Sequence, residues 1–368
     1  MNIKSVKLYG IKMPLKVPFT THLGTVSDRE GILIEVIGQD GISGYGEAVA
    51  FSSPWYTEET IQTCLHMLKD FLIPLVSKQT ISHPEEATAL FSSIKRNQMA
   101  KASIEMAFWD LHAKRQNMPL AKLLGGTRTS VPAGVVVGTK TIQESIRQIQ
   151  DYLAKGYTRV KVKINPGNDF QLLSEIRQNY PFLQLMADAN SAYTLDDTEQ
   201  LKVLDQFNLL MIEQPLGHDD IVEHAVLQRS LKTPICLDES IISLDDARKA
   251  AGIQSCRVIN IKPGRVGGLG PAKKIHDFCM LQGIKVWCGG MLEFGVSRAH
   301  NIALSSLSGF TIPGDLSSSS RYWEEDIILP EISVENGYVS VPDKPGIGFD
   351  LNWKRINETL IFEEEYIL

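Results

Sequence analysis

Five charged residues close five short apolar runs of this chain at an almost constant spacing. They are Lys163, Asp188, Glu213, Asp238 and Lys262, and the intervals between them are 25, 25, 25 and 24 residues. The runs RVKVK, LMAD, LLMIE, ICLD and VINIK have the composition of short buried strands. Because about 25 residues are enough for one strand and one helix with short turns, the pattern predicts a site built from the ends of successive strands.

The order base, acid, acid, acid, base indicates what this site could do. Three carboxylates that converge repel one another unless a cation binds them, and oxygen ligands without histidine favour Mg²⁺, with Mn²⁺ as an alternative. Asp188, Glu213 and Asp238 are therefore candidate metal ligands, and charge balance then favours a carboxylate substrate. The lysines can move the proton beside that carboxylate if nearby positive charge lowers their pKa. Lys161, which projects to the same side of its strand as Lys163, can supply that charge.

Eight strands joined by helix-sized connections are predicted between about residues 129 and 320. Val131–Val137 precedes the five runs, and Ile284–Trp287 and Phe310–Ile312 follow them. A (β/α) barrel is favoured over an open doubly wound sheet because functional residues end many successive strands. In a ring of eight, strands two and six are opposite, so Lys163 and Lys262 would face each other across the barrel mouth.

The regions outside these strands predict a second domain. Residues 1–125 contain strand patterns at Ile3–Met13 and Ile32–Ile37, a hairpin turn at Gln39–Gly41, and helices at about Glu58–Leu75 and Met99–Gln116. We therefore expect an α+β capping domain at 1–125, a barrel at 126–325, and a C-terminal segment at 326–368 that returns to the capping domain.

Composition narrows the class of protein. The net charge of −6 argues against nucleic acid or an anionic membrane as a partner. No apolar stretch reaches about 18 residues, and Met1–Gly10 lacks the apolar core of a signal peptide. Five cysteines without a Cys-x-x-Cys pair are typical of reduced thiols, so a cytoplasmic location is expected.

The motifs around the five charges resemble the enolase superfamily, specifically its muconate-lactonizing-enzyme subgroup, over essentially the whole chain. They are KVK (161–163), ADAN (187–190), IEQP (212–215), LDES (237–240) and NIKPGRVGGL (260–269). The resemblance implies a modified (β/α)7β barrel, Lys163 and Lys262 as the acid/base pair, and Asn190 and Glu239 as supporting residues. It also implies a homo-oligomer. In related racemases an arginine at the position of Arg265 tunes the second lysine, although a surface arginine is an equally good interpretation.

Four further segments resemble o-succinylbenzoate synthases and the N-succinylamino-acid racemases of the same sequence group. They are AFSSPWYTEET (50–60), VPAGVVVG (131–138), WCGGMLEFGVSRAHN (287–301) and IPGDLSSSSRYW (312–323). The implied reaction is syn-dehydration of 2-succinyl-6-hydroxy-2,4-cyclohexadiene-1-carboxylate for menaquinone biosynthesis, with racemisation of N-acylamino acids as the alternative or a second activity. Asp315-Leu-Ser317 departs from the Asp-x-Asp of dipeptide epimerases.

Candidate substrate contacts lie in three loops. Phe19 and Ser52 belong to two predicted capping loops, 19–24 and 51–55, and Gly289, Gly290 and Met291 follow strand seven. The two glycines can donate backbone N–H groups to an anion, or form a plain turn. A non-catalytic barrel that binds an anionic metabolite is the alternative from another class, but a binding protein needs no opposed lysines. A phosphate-binding barrel is disfavoured because Gly264–Gly270 lacks the G-x-G-x-x-G spacing.

Overall fold

The N-terminal part of the chain forms an antiparallel sheet covered by helices. The computed structural model describes residues 2–21, 24–138 and 141–368, without the side chains of residues 19–25. Of the predicted loop 19–24, residues 22 and 23 and the Phe19 side chain lie outside this description, and the backbone of the other residues belongs to two strands. The strands are β1 (Ile3–Thr21), β2 (Gly24–Gly38) and β3 (Ser43–Ala48). The helices are α1 (Ile61–Met67), α2 (Ile73–Val76), α3 (Pro84–Phe91), α4 (Gln98–Arg115) and α5 (Leu120–Leu123), with a π-helical turn at Leu68–Leu72.

The α4 helix lies directly on the sheet because β3 presents glycine to it. A Cβ atom on Gly46 would lie 1.9 Å from the carbonyl oxygen of Ser103, so only glycine allows this close approach. The predicted helix Met99–Gln116 is confirmed within one residue at each end, whereas α3 was not predicted.

Seven parallel strands follow in sequential order around the barrel, alternating with helices. The elements are β4 (Ser130–Pro132), β5 (Val135–Val137), α6 (Ile142–Ala154), β6 (Arg159–Lys163), α7 (Asp169–Asn179), β7 (Gln184–Asp188), α8 (Thr198–Val203), β8 (Ile212–Glu213), α9 (Val222–Ser230), β9 (Ile235–Leu237), α10 (Leu244–Gly252), β10 (Val258–Ile261), α11 (Pro263–Val266), α12 (Leu269–Gln282), β11 (Lys285–Cys288) and α13 (Gly295–Ser305). The sheet order is β5-β6-β7-β8-β9-β10-β11. This order, with no reversal, confirms the predicted barrel over the doubly wound sheet.

The eighth barrel segment differs from the prediction. Phe310–Ile312 is not a regular strand: single bridges join Phe310 to Val286 on one side and Gly314 to Ala133 on the other. These bridges close the ring, and Gly134 N–H reinforces the closure by donating to the Gly314 carbonyl at 2.6 Å. A continuous strand is prevented at Pro313, which has no N–H to donate to a ladder.

The first predicted strand was also wrong in one respect, because Val131–Val137 is two strands. Only β5 belongs to the barrel, whereas β4 pairs antiparallel with β13 of the C-terminal segment. That segment contains β12 (Ile328–Leu329), β13 (Tyr338–Ser340), β14 (Asp350–Leu351), α14 (Trp353–Thr359) and β15 (Leu360–Ile367). β15 pairs with β1, which gives the capping sheet the order β15-β1-β2-β3. The three domain boundaries stay a prediction.

Two buried carboxylates join the capping region to the barrel. Glu47 of β3 accepts hydrogen bonds from the backbone N–H groups of Phe294 and Ser297, both at 2.8 Å, at the start of α13. Glu105 of α4 accepts from Leu269 N–H at 2.8 Å and Gly270 N–H at 2.9 Å, at the start of α12. Both satisfy unpaired N–H groups at helix N-termini, and they hold the helices that follow the loops after β10 and β11.

Candidate active site

The predicted charges meet because neighbouring barrel strands place them in register. Lys163 of β6 is the direct partner of Asp188 of β7, and Asp188 is the direct partner of Glu213 of β8. Asp238 follows β9 and Lys262 follows β10. Since β6 and β10 are four strands apart in the sheet order, the two lysines extend from opposite sides of the ring.

Lys163 lies at the more open side of the site. Its side chain is 34% exposed, and its Nζ donates to Asp188 Oδ2 at 2.7 Å and to Asn190 Oδ1. Asn190 in turn donates from Nδ2 to Glu239 Oε1 at 3.2 Å. Lys163, Asp188 and Asn190 all line a cavity of about 780 Å³. Both predicted supporting residues, Asn190 and Glu239, are therefore connected to Lys163.

Lys161 occupies the buried centre of the cluster. Its Nζ lies 3.0 Å from Glu213 Oε2, 3.4 Å from Asp188 Oδ2 and 2.7 Å from Asp315 Oδ2. Burial alone would lower the pKa of Lys161, but the charges of Asp315, Glu213 and Asp188 together raise this pKa well above its ordinary value. Lys161 is therefore a fixed positive charge beneath Lys163.

Two carboxylates of the cluster hold their charge poorly in this arrangement. Burial, together with the charge of Asp188, raises the pKa of Glu213 to about 8. Burial and the charge of Asp238 raise the pKa of Glu239 to about 7. The Glu239 Oε2 atom is buried without a hydrogen-bond partner among the described residues. The cluster therefore has more carboxylate than its own cations neutralise locally.

Lys262 is held on the opposite side by three groups. Its Nζ lies 2.8 Å from Asp238 Oδ2 and donates to the Tyr56 hydroxyl at 2.8 Å. The guanidinium of Arg265 contacts Asp238 Oδ1 and donates to the same hydroxyl at 3.1 Å. Arg265 is buried, so the surface interpretation of this residue was wrong. Burial alone would lower the pKa of Lys262, but Asp238 raises it above its ordinary value, which keeps this lysine cationic.

The predicted substrate contacts lie in different environments. Gly289 packs against Lys262, since a Cβ atom there would lie 2.7 Å from Lys262 Cε. Its N–H donates to Ile261 O at 3.2 Å within the ladder, so that N–H is already used and does not suit an anion. Met291 is partly buried between the two hydrophobic cores, and Ser52 is exposed. Gly290 approaches the backbone of Asp315.

Three site residues were missed by sequence reasoning. Tyr56 reaches Lys262 from the capping domain, Asn260 donates to Glu213 Oε1 at 2.7 Å, and Asp315 pairs with Lys161. All three lie inside the segments that carried the family resemblance. None of the three falls on the 25-residue spacing, which was the signal that identified the others.

The donor chemistry fits a hard divalent cation. Three buried carboxylates on adjacent strands supply only oxygen ligands, and Glu239 Oε2 and Asn260 Oδ1 are further buried oxygens without hydrogen-bond partners among the described residues. As they stand, the described side chains include no group of three carboxylates, imidazoles or thiols poised around one metal position. Instead Lys161, Lys163 and Lys262 supply the positive charge beside the three carboxylates.

Comparison with known proteins agrees with this geometry. Residues 3–125 match the family described as mandelate racemase / muconate lactonizing enzyme, N-terminal domain, and residues 144–355 match the family described as enolase C-terminal domain-like. An o-succinylbenzoate synthase from Geobacillus stearothermophilus is 55% identical over 367 residues, which cover 100% of this chain and 98% of that protein. An N-succinylamino acid racemase from Thermus thermophilus is 42% identical, with 99% and 98% covered.

A solved structure extends the comparison to three dimensions. The crystal structure of an enolase-superfamily member from Listeria innocua matches with a TM-score of 0.98 at 45% identity, and the match covers 100% of this chain and 99% of that one. The likeness includes both the capping region and the barrel. The chain belongs to the enolase superfamily, in its muconate-lactonizing-enzyme subgroup.

Proposed function

We propose that the chain is an o-succinylbenzoate synthase, which removes water from 2-succinyl-6-hydroxy-2,4-cyclohexadiene-1-carboxylate to give o-succinylbenzoate in menaquinone biosynthesis. The observation that carries this proposal is the pair of lysines on opposite sides of one carboxylate cluster. Lys163 contacts Asp188 at 2.7 Å, and Lys262 contacts Asp238 at 2.8 Å. Relatives of that name at 54–55% identity support the choice of substrate.

Enzymes of this superfamily use a divalent metal ion. We assign Mg²⁺ to Asp188, Glu213 and Asp238, with Mn²⁺ as a substitute, because these ions prefer carboxylate oxygens. When bound, the ion stabilises the second negative charge that develops on the substrate carboxylate as the neighbouring proton leaves.

Lys163 is proposed to remove that proton and to return it to the leaving hydroxide on the same face. Lys163 lines the cavity and its side chain is 34% exposed, so a substrate can reach it. Asn190 and Asp188 orient the amine. One group can serve both steps of a syn elimination because both bonds break on one face.

Lys262 is proposed to stay charged and to stabilise the enediolate from the other face. Asp238 favours its ammonium form, and the Tyr56 hydroxyl and Arg265 fix its position. A charge that is already oriented needs little reorganisation when the negative charge forms, which is the basis of electrostatic catalysis.

Racemisation of N-succinylamino acids is the second candidate. The same two lysines can serve one face each, and relatives of that name are 42% identical to this chain. Racemisation requires Lys262 to release a proton, which the charge of Asp238 opposes. We therefore expect dehydration to be the faster of the two reactions.

Variants of the two lysines test the proposal. Lys163→Ala and Lys262→Ala should each abolish dehydration, whereas Lys285→Ala, an exposed lysine at the other end of a barrel strand, should retain it. Near-wild-type dehydration by either site variant would overturn the mechanism. Full activity after exhaustive chelation of divalent metal ions would overturn the metal assignment.

Substrate exchange in D₂O separates the candidate classes. Wild-type protein should exchange the α-proton of N-succinylamino acids, and side-by-side rates should show dehydration to be faster. Absence of exchange and of dehydration would favour a non-catalytic binding protein.

No helix in the described residues is long and apolar enough to cross a membrane. The predicted homo-oligomer, the cytoplasmic location and the absence of a nucleic-acid partner stay predictions.

A further inference from the structure

Asp315 belongs to a buried ion network that the proposed reaction does not use. It comes from the segment that closes the barrel, where its N–H donates to Cys288 O at 3.0 Å. Its Oδ1 lies 2.7 Å from Arg159 Nη2, and its Oδ2 lies 2.7 Å from Lys161 Nζ. In the sequence, this aspartate is distinguished only by Ser317, which breaks the Asp-x-Asp pattern.

Arg159, Lys161 and Lys163 alternate along β6 and therefore project to the same side, into the barrel. Arg159 is fully buried and Lys161 nearly so. Two cations so close in a poorly solvated interior repel strongly. Asp315 is placed to offset that repulsion, because one oxygen faces each cation. Arg159 is also fixed by two hydrogen bonds to Pro313 O, at 3.0 and 2.7 Å.

Lys161 is held between two sets of carboxylates. Asp315 is its nearest partner at 2.7 Å, whereas Glu213 is at 3.0 Å and Asp188 at 3.4 Å. The last two are proposed metal ligands. If Asp315 lost its charge, the ammonium group would be attracted to Glu213 and Asp188 alone. An ammonium drawn fully onto these oxygens would compete with a metal ion for them.

We propose that Asp315 is a positioning residue that holds the Lys161 ammonium back from Glu213 and Asp188, so that a divalent cation can bind these carboxylates. This inference rests on the proposed metal assignment. Backbone packing supports it, since a Cβ atom on Gly290 would lie 2.5 Å from the Asp315 carbonyl oxygen. The loop after β11 thus packs closely against the backbone of Asp315.

The test measures Mn²⁺ affinity directly, by electron paramagnetic resonance of free Mn²⁺, without any turnover. Removal of residues that support metal ligands typically weakens metal binding about 10- to 100-fold, and we expect a Kd increase of that size for Asp315→Asn. Asp110→Asn is the matched control, because Asp110 is a buried partner of Lys114 at 2.7 Å outside the site. It should leave the Kd unchanged.

A double variant separates positioning from simple loss of charge. Lys161→Met should strengthen Mn²⁺ binding far more in the Asp315→Asn background than in wild-type protein, because there the ammonium group is no longer shared with Asp315 and is drawn more closely onto Glu213 and Asp188. Equal gains in both backgrounds would mean independent charge effects and would overturn the proposal.

The Mn²⁺ measurements distinguish failure of the metal assignment from failure of the proposed role of Asp315. If wild-type protein does not bind Mn²⁺, the metal assignment itself fails, and the role of Asp315 fails with it. If wild-type binds and a folded Asp315→Asn variant binds equally well, only the role of Asp315 is wrong. If Asp315→Asn does not fold, the Mn²⁺ affinity of Asp315→Glu is the test. The longer side chain of glutamate pushes Lys161 toward Glu213, so the Kd should rise, and an unchanged Kd would overturn the proposal.

Discussion

Replacing Gly289 with alanine tests whether Lys262 must keep its observed position. Gly289 follows β11 directly, and its N–H is fixed by the hydrogen bond to Ile261 O. A Cβ atom there would lie 2.7 Å from Lys262 Cε and 2.3 Å from Asn260 Oδ1. The added methyl group therefore presses on the catalytic lysine and on the residue that donates to Glu213.

The expected loss follows from these distances. To reach ordinary van der Waals contact at 3.4 Å, Lys262 Cε must move from 2.7 Å, a shift of about 0.7 Å. A misplacement of about 1 Å at a catalytic group costs about 100-fold in rate. We therefore expect kcat to fall about 10- to 100-fold, or about 1.4 to 2.7 kcal/mol. Overpacking should also cost about 1 to 3 kcal/mol of stability.

The assay is steady-state dehydration, followed by the change in ultraviolet absorbance as the diene becomes aromatic, with thermal unfolding measured on the same sample. Gly252→Ala is the control, because a Cβ atom at that position meets no described atom within 4 Å. It should change neither kcat nor stability appreciably. A folded Gly289→Ala variant with wild-type kcat would refute the view that the Lys262 position limits the rate.

Three further changes probe the groups that connect the capping domain to the barrel. Tyr56→Phe removes the hydroxyl that accepts from Lys262, and since hydrogen bonds to charged groups contribute about 1.5 to 3 kcal/mol, kcat should fall at least about 10-fold in steady-state kinetics. Glu105→Ala leaves the N–H groups at the start of α12 unpaired and should cost about 3 kcal/mol in urea unfolding. Burial and the charge of Glu293 raise the pKa of Glu47 from 4.5 to about 8. Folding therefore takes up a proton, and stability should fall as pH rises from about 4.5 to 8; urea titrations of Glu47→Gln should show a flatter pH dependence.

The sequence predicted the site residues that occur once in each strand–helix unit. Lys163, Asp188 and Glu213 are one strand–helix unit apart, and parallel strands in register place them side by side. Helix starts were predictable for a similar local reason. The pattern Thr/Ser-x-x-Asp is typical of a helix start, and Thr194 and Ser243 each directly precede a helical segment, Leu195–Asp197 and α10.

Long-range contacts could not be predicted in this way. β4 pairs with β13 and not with a barrel strand. This pairing was not predictable, because β13 lies more than 200 residues away in the chain. Tyr56 and Asp315 reach the site from loops. In loops, neither the 25-residue spacing nor the order of charged residues identifies a functional side chain. Their roles depend on which loops meet in space, and one sequence contains no local signal for that.

The charges of the assembled site also constrain the substrate. Five cationic side chains form the cluster, and five carboxylates accompany them: the cations are Arg159, Lys161, Lys163, Lys262 and Arg265, and the carboxylates are Asp188, Glu213, Asp238, Glu239 and Asp315. The role of Lys163 as the base requires its neutral form, and the raised pKa of Glu239, about 7, allows Glu239 to be protonated, so four cations then face four carboxylates. A divalent metal ion adds two positive charges. Balance is then restored by a guest with two negative charges. A cyclohexadiene carboxylate with a succinyl group carries two carboxylates, and so does an N-succinyl derivative of a neutral amino acid, which explains how one site can accept both. Replacing the succinyl group by an uncharged butanoyl group should therefore raise KM for either reaction, and an unchanged KM would show that the second carboxylate lies outside this balance.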